Sequence, residues 1–302
     1  MSREVYFHLP GFCYFRLLNQ VIINLMKDYP EHFKEGYKIG SVYGTFPGAI
    51  WNGGRAVFGI TGRDDIQSII NVYNSKGVPV RFTWTNGLLE EKHLQDTYCN
   101  LIMRIANNGF NQVLVNNVLL EAYIRENYPK YPLISSTTKR ITGLEGILEE
   151  IQKDYMLVVL DYDLNHDEAV LKELEPYANR VEILVNEICF PGCPKRTEHY
   201  IQQSQMQLEF DVNTSFPCPN KTQQRKFAEC MKRPAFLSCD DIEQYIERGF
   251  VNFKIVGRGM PLEFVKESYL YYLVKDDAKD VIRGKIDRLL EQFQAMQRGP
   301  RR

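Results

Sequence analysis

The feature that most constrains the fold is a repeated alternation between short β-rich runs and amphipathic helical runs, which begins near residue 37. Helical runs such as 64–74 carry apolar residues at helical spacing, and Gly77 and Gly109 follow two of them as stop signals. Repeated β–α units favour a parallel sheet, and eight of them predict an α/β fold, a closed (β/α)8 barrel of the TIM type. The predicted strands are 37–43, 78–84, 112–115, 132–135, 155–160, 180–185, 235–238 and 251–256.

The domain organisation follows from this pattern. An open doubly wound sheet is the alternative, but such sheets usually carry a GxGxxG phosphate loop, which is absent from the sequence. The chain has 302 residues, and barrels of about 250 residues form one domain, so we predict a single barrel spanning 1–302. Residues 189–234 are predicted as a cysteine-bearing insertion after strand six, and 276–302 as a C-terminal helix and tail.

Composition restricts the partners and the compartment. The net charge of −1 argues against broad electrostatic capture of nucleic acid. No run approaches the roughly 18 apolar residues of a membrane span, and residues 1–15 lack the pattern of a signal peptide. We therefore expect a cytoplasmic protein with no membrane partner, in which the seven cysteines stay reduced.

Polar side chains follow most of the predicted strands. In (β/α)8 barrels the residues just past the strands form the active site, so these side chains predict a polar pocket. The same residue types are also common in turns and helix caps, which is the structural alternative. The predicted catalytic residues are Asp161, Glu187 and Lys254. The predicted substrate-binding residues are Thr85, Asn86, Asn117, Ser135 and Arg258.

Lys254 stands out because it interrupts the apolar strand 251–256. If Phe253 and Ile255 face the helices, Lys254 points into the barrel, where a lysine is costly unless it is paired. Such a lysine could bind a carboxylate or phosphate or act as a base, whereas a structural ion pair is the alternative. The candidate partners are Asp161, Asp163 and Glu187.

A cysteine cluster follows the sixth predicted strand, with Cys189 and Cys193 in a loop that contains proline and glycine. Soft thiolates select zinc or iron–sulfur clusters, and a cluster typically takes four cysteines. The alternative is that these cysteines are small buried hydrophobic residues. His199 is a further candidate ligand. The predicted metal ligands are Cys189, Cys193, Cys218 and Cys230, and Cys239 competes with Cys230 for the fourth place.

The segment from 236 to 258 carries a resemblance. Its first part reads FLSCDDI and its last part GFVNFKIVGR. This arrangement, together with a cysteine-bearing segment after the strand RVEILV, resembles the collagenase-like peptidase family U32. The resemblance implies a (β/α)8 barrel and, from several members, a 4Fe–4S cluster that assists hydroxylation of RNA bases or quinone precursors. The cysteine spacing and the N-terminal half differ from those members.

The resulting hypothesis is an iron–sulfur-dependent enzyme that supports hydroxylation or modification of an RNA base or small aromatic substrate at the barrel mouth, with a redox partner protein. One alternative is a peptidase or other hydrolase, as the family name suggests. Another is a zinc-stabilised barrel that binds a partner without catalysis. No GxSxG or HExxH signature is present to decide between them.

Overall fold

The computed structural model describes residues 3–218 and 225–298. Residues 219–224 of the predicted insertion and residues 299–302 of the predicted tail lie outside the described residues, as do residues 1 and 2. Within the described ranges, no helix is long and apolar enough to cross a membrane.

Eight parallel strands close into a barrel, which confirms the predicted (β/α)8 architecture. Each strand pairs with the next one along the chain, and the first strand also pairs with the last, which closes the ring. Most strand residues are buried, as expected for parallel strands that are covered by helices. The strands are β1 (Val5–Pro10), β2 (Tyr37–Gly44), β3 (Val80–Trp84), β4 (Gln112–Val115), β5 (Leu133–Ser135), β6 (Leu157–Val159), β7 (Val181–Leu184) and β8 (Asn252–Lys254).

The set of strands differs from the prediction at two places. Val5–Pro10 forms β1, although its apolar run is interrupted by His8 and ends at a proline. Residues 235–238 form a loop whose apolar side chains pack on the end of β7, and Leu237 N donates one hydrogen bond to Val185 O (2.8 Å). The cysteine-bearing insertion therefore follows the seventh strand of the barrel rather than the sixth.

Helices surround the barrel, and several of them begin at a residue whose side chain caps the free backbone N–H groups. Asp96, Asn117, Asp167 and Ser238 act in this way. The helices are α1 (Arg16–Asp28), α2 (Arg63–Asn74), α3 (Glu91–Leu94), α4 (Thr97–Ala106), α5 (Val118–Asn127), α6 (Leu144–Gln152), α7 (Glu168–Leu174), α8 (Arg196–Glu209), α9 (Phe227–Cys230), α10 (Cys239–Glu247), α11 (Leu262–Leu273) and α12 (Lys279–Arg298).

The barrel interior is divided by polarity. Because side chains alternate along a strand, every second residue points inward. Residues of β4 to β7 form an apolar cluster in the interior, whereas β1, β2, β3 and β8, together with Gln112 of β4 and Glu182 of β7, supply charged and polar groups. The apolar cluster consists of Leu114, Ile134, Leu157, Val159, Tyr162, Leu184 and Ala235.

Candidate functional site

A cavity of about 200 Å³ lies at the C-terminal ends of the strands, where (β/α)8 barrels place their active sites. Tyr43, Leu184 and Lys254, at the ends of β2, β7 and β8, form part of its lining. The remaining lining comes mainly from the loops beyond the strands and from α8. Six of the predicted site residues line this cavity: Thr85, Glu187, Cys189, Cys218, Lys254 and Arg258.

Lys254 points into the barrel, as the strand pattern predicts, while Phe253 packs in the helix-facing core. Its ammonium lies 3.4 Å from Glu182 Oε1, so Glu182 takes the place of the predicted partners. The ammonium also lies 4.5 Å from the centre of the Tyr43 ring. Burial lowers the pKa of Lys254 to about 8, and the charge of Glu182 opposes this shift.

Glu182 is the centre of a buried charge network beneath the cavity. It pairs with Arg81, and both side chains are fully buried. His8 Nε2 lies 3.3 Å from the same carboxylate, and Arg81 Nε donates to Gln112 Oε1 (2.9 Å). Although burial opposes it, the positive charge of Arg81 holds the pKa of Glu182 well below its usual range. The network therefore keeps a carboxylate charged inside the barrel and fixes Lys254 above it.

Thr85 carries a polar group without a partner. Its hydroxyl is buried at the cavity wall and makes no hydrogen bond to any described residue. Buried polar groups are nearly always paired, so an unpaired one beside a cavity indicates a site that a ligand completes. Arg258 lies on the same wall and donates to Thr83 Oγ1 (3.0 Å) and Asn52 Oδ1 (3.3 Å). These neutral acceptors orient the guanidinium and leave its charge uncompensated.

Glu187 contributes the carboxylate of the cavity. Its Oε1 atom accepts hydrogen bonds from the backbone N–H groups of Ile188 (2.9 Å) and Cys189 (3.0 Å). Within the described part of the chain, it forms no ion pair with a lysine, arginine or histidine. The two backbone contacts fix the carboxylate in place while leaving its second oxygen for a water molecule or a substrate.

The loop between β2 and α2 supplies Arg55, a cavity residue that the sequence did not single out as a site residue. At its start, a Cβ atom on Gly53 would lie 2.2 Å from the carbonyl oxygen of Thr85, so only glycine allows this approach. Farther along, Gln207 of α8 accepts from Val57 N (2.6 Å) and donates to Val57 O (3.2 Å). Arg55 is therefore held between two anchored points.

Comparison with known proteins places the fold in context. No protein-family model matches the sequence. A curated protein of Methanocaldococcus jannaschii, described as an uncharacterized protease, is 24% identical over 242 residues, which cover 77% of this chain and 71% of that protein. A solved structure of a U32 peptidase matches with a TM-score of 0.52 at 14% identity, over 86% of this chain and 94% of the other.

The chain is similar in sequence to the Methanocaldococcus jannaschii protein and in fold to the U32 peptidase. At 14% identity the structural likeness establishes the barrel fold alone. This likeness agrees with the sequence resemblance to family U32 noted for residues 236–258. The chemistry of this chain follows from its own site residues.

The four predicted metal ligands lie in different surroundings. Among the residues that the structure describes, no group of three or more His, Cys, Asp or Glu side chains is positioned to hold a metal ion. Cys189 and Cys218 line the cavity, whereas Cys193 does not. Cys230 is buried, and its thiol donates to the backbone oxygen of Asn186 (3.1 Å). The four-cysteine cluster therefore stays a prediction.

Four other predicted site residues maintain local structure outside the cavity. Asn86 donates to two backbone carbonyls, and Asn117 caps α5. Ser135 donates to a carboxylate of α6 (2.6 Å). Asp161 pairs with Arg140 and with a second arginine at the start of α8. Their predicted roles in catalysis and binding stay predictions, and the contacts show what each side chain stabilises.

Proposed function

We propose that this chain is a hydrolase that cleaves an amide bond of a small substrate bound at the barrel mouth. One observation carries the proposal, namely that a fixed carboxylate, two cationic side chains and an unpaired hydroxyl line one cavity. These groups are Glu187, Lys254, Arg258 and Thr85. The description of the Methanocaldococcus jannaschii relative as an uncharacterized protease agrees with this class of reaction.

Glu187 acts in this proposal as the general base. Its carboxylate takes a proton from a water molecule, and the water oxygen attacks the carbonyl carbon of the amide. The C–N bond then breaks, and the proton held by Glu187 passes to the departing amine. Water is the nucleophile rather than Cys189, because burial raises the pKa of this thiol and keeps it protonated near neutral pH.

Lys254, Arg258 and Thr85 stabilise the negative charge that develops on the carbonyl oxygen. Charged and hydroxyl donors that are already oriented are worth most where water is excluded, as in a cavity at the end of a barrel. Lys254 is held by Glu182, and Arg258 is held by Thr83 and Asn52, so neither group has to reorganise during the reaction.

The experiment is digestion of a defined peptide mixture by the purified chain, with products identified by mass spectrometry. Glu187→Gln should lower kcat by about 10²–10⁴-fold, because it removes the base and keeps the shape of the side chain. Glu198→Gln, at an exposed position of α8, is the matched control and should retain the rate of the wild type. No cleavage by the wild-type chain, or unchanged cleavage by Glu187→Gln, would overturn the proposal.

The iron–sulfur hypothesis is a second candidate, favoured by the presence of Cys189 and Cys218 at the same cavity. In this form the chain would support hydroxylation or modification of an RNA base or small aromatic substrate and would need a redox partner protein. Iron and sulfide analysis of anaerobically purified protein tests it. A chain that contains neither iron nor zinc at stoichiometric level would exclude both the cluster and the zinc alternative.

A further inference from the structure

Three arginines at the barrel mouth have no acidic partner among the described residues. They are Arg55 from the loop between β2 and α2, Arg225 from the insertion, and Arg258 after β8. The carboxylate of Glu187 lies in the same cavity, so the three arginines leave an excess of positive charge there. Like charges that are held together destabilise a fold unless an anion joins them.

The arginines converge on one short segment. Arg258 directly precedes Gly259, and Arg225 Nη1 donates to the carbonyl oxygen of Gly259. A Cβ atom on Gly259 would lie 3.4 Å from Cδ and 3.5 Å from Nε of Arg55. Burial lowers the pKa of Arg258, and the charge of Arg55 acts in the same direction. Arg55 and Arg225 therefore both lie beside Gly259, next to Arg258 in the chain.

A second, larger cavity lies on the other side of these arginines. It has a volume of about 790 Å³, and Arg55, Arg225 and Arg258 line it as well as the first cavity. The rest of its lining is largely apolar, and Tyr14 is 80% exposed there. The apolar lining residues include Tyr14, Phe15, Pro47, Val57, Phe58 and Met260.

We infer that the substrate carries a free carboxylate next to an apolar group. The carboxylate lies on a wall formed by Arg55 and Arg225, the apolar group lies in the second cavity, and Arg258 is left for the carbonyl oxygen of the scissile amide. This inference rests on the proposed hydrolase and names its substrate as a peptide with an apolar C-terminal residue. The scissile amide of such a peptide would lie on the Glu187 side of the wall. Water adds to the acyl carbon, the C–N bond breaks, and the C-terminal amino acid leaves with a proton on its nitrogen.

Carboxylate recognition by this wall agrees with the chemistry of arginine. A guanidinium group donates two parallel hydrogen bonds to one carboxylate, and these charge-assisted bonds are stronger than neutral ones. An apolar group next to the carboxylate strengthens binding of the substrate, because it moves out of water into the second cavity. A peptide with a C-terminal amide loses the first contribution, and a peptide that ends in glycine loses the second.

Binding is tested apart from catalysis by isothermal titration calorimetry with N-acetylphenylalanine, N-acetylphenylalaninamide and N-acetylglycine. The reference chain and every variant carry Glu187→Gln, because N-acetylphenylalanine itself contains the proposed scissile amide. The first compound should bind at least about tenfold more tightly than either of the other two. Arg55→Gln and Arg225→Gln should each weaken its binding by about tenfold. Arg104→Gln, at an exposed position in the last turn of α4, is the matched control and should bind as the reference chain does.

The outcomes separate the inference from the proposed function. Binding of N-acetylphenylalanine that depends on Arg55 and Arg225, together with a wild-type chain that cleaves no peptide, supports the substrate-binding inference and removes the hydrolase. Cleavage of peptides at equal rates with a free or an amidated C-terminus keeps the hydrolase and overturns the inference. Equal binding of all three compounds, or no binding of any of them, also overturns it.

Discussion

Arg81 and Glu182 form an ion pair inside the barrel, and water reaches neither side chain. Arg81 lies on β3 and Glu182 on β7, so the pair links two strands that are not neighbours. Lys254 and His8 contact the same carboxylate. A single acidic residue therefore compensates the cations beneath the cavity, and its removal leaves buried positive charge without a partner.

We expect Glu182→Gln to lower the free energy of unfolding by about 3–5 kcal/mol, because it leaves Arg81 and Lys254 buried without a counter-charge. Urea denaturation measures this change. Glu229→Gln removes the exposed pair with Lys232 and should cost less than about 1 kcal/mol. Equal stabilities of these two variants would contradict the importance of the buried network.

The stability of the protein should fall as the pH is lowered below about 6.5, and His8 contributes to this change. Burial lowers the pKa of His8 from 6.5 in the unfolded chain to about 3 in the fold, with Arg81 acting in the same direction. Between these values the unfolded chain binds the extra proton, so the free energy of unfolding decreases as the pH falls. Urea denaturation at a series of pH values should show a shallower decrease for His8→Gln. If the free energy of unfolding falls with pH equally in the wild type and in His8→Gln, the contribution of His8 is refuted.

Lys254 should set the alkaline limit of hydrolysis. Its pKa of about 8 means that the ammonium is charged below this pH and loses its proton above it. The value of kcat/KM should therefore decline above about pH 8, since the neutral amine stabilises an oxyanion less well. Lys254→Met should lower kcat/KM below that pH and abolish the decline. A decline that persists in Lys254→Met would assign it to another group.

Cys230 distinguishes the iron–sulfur hypothesis from a structural role for this cysteine. The thiol is buried and donates to the backbone of Asn186, a bond that a serine hydroxyl also makes. We therefore expect Cys230→Ser to fold and to retain whatever iron or zinc the anaerobically purified wild type contains. Metal analysis of both proteins provides the measurement. Loss of metal from Cys230→Ser, with Cys99→Ser as the buried control, would restore Cys230 as a ligand.

The barrel itself could be predicted because hydrophobic periodicity records which face of each element is buried. The inward direction of Lys254 followed from the apolar residues on either side of it. Val5–Pro10 was missed because the network that pairs His8 lies on three other strands and leaves no local signal. Residues 235–238 have the composition of a strand because they are buried, and burial alone does not form a ladder of backbone hydrogen bonds.

The site was predicted in part for a related reason. Strand ends converge in any barrel, which brought Thr85, Glu187, Lys254 and Arg258 to one cavity. The same rule does not distinguish a side chain that points inward from one that caps a helix, as Asn117 does. The place of Arg225 depends on how a long insertion folds back over the mouth, and residue order alone does not determine that path.

The anchoring of the loop between β2 and α2 has a consequence for how the second cavity can change. Gln203 and Gln207 form hydrogen bonds with the backbone of Ala56 and Val57. These hydrogen bonds do not involve the side chains at the two positions. Residues at this edge can therefore be exchanged while the backbone keeps its course. Libraries randomised at Val57 and Phe58 should yield variants with altered selectivity at little loss of thermal stability, which makes this edge a natural starting point for directed evolution.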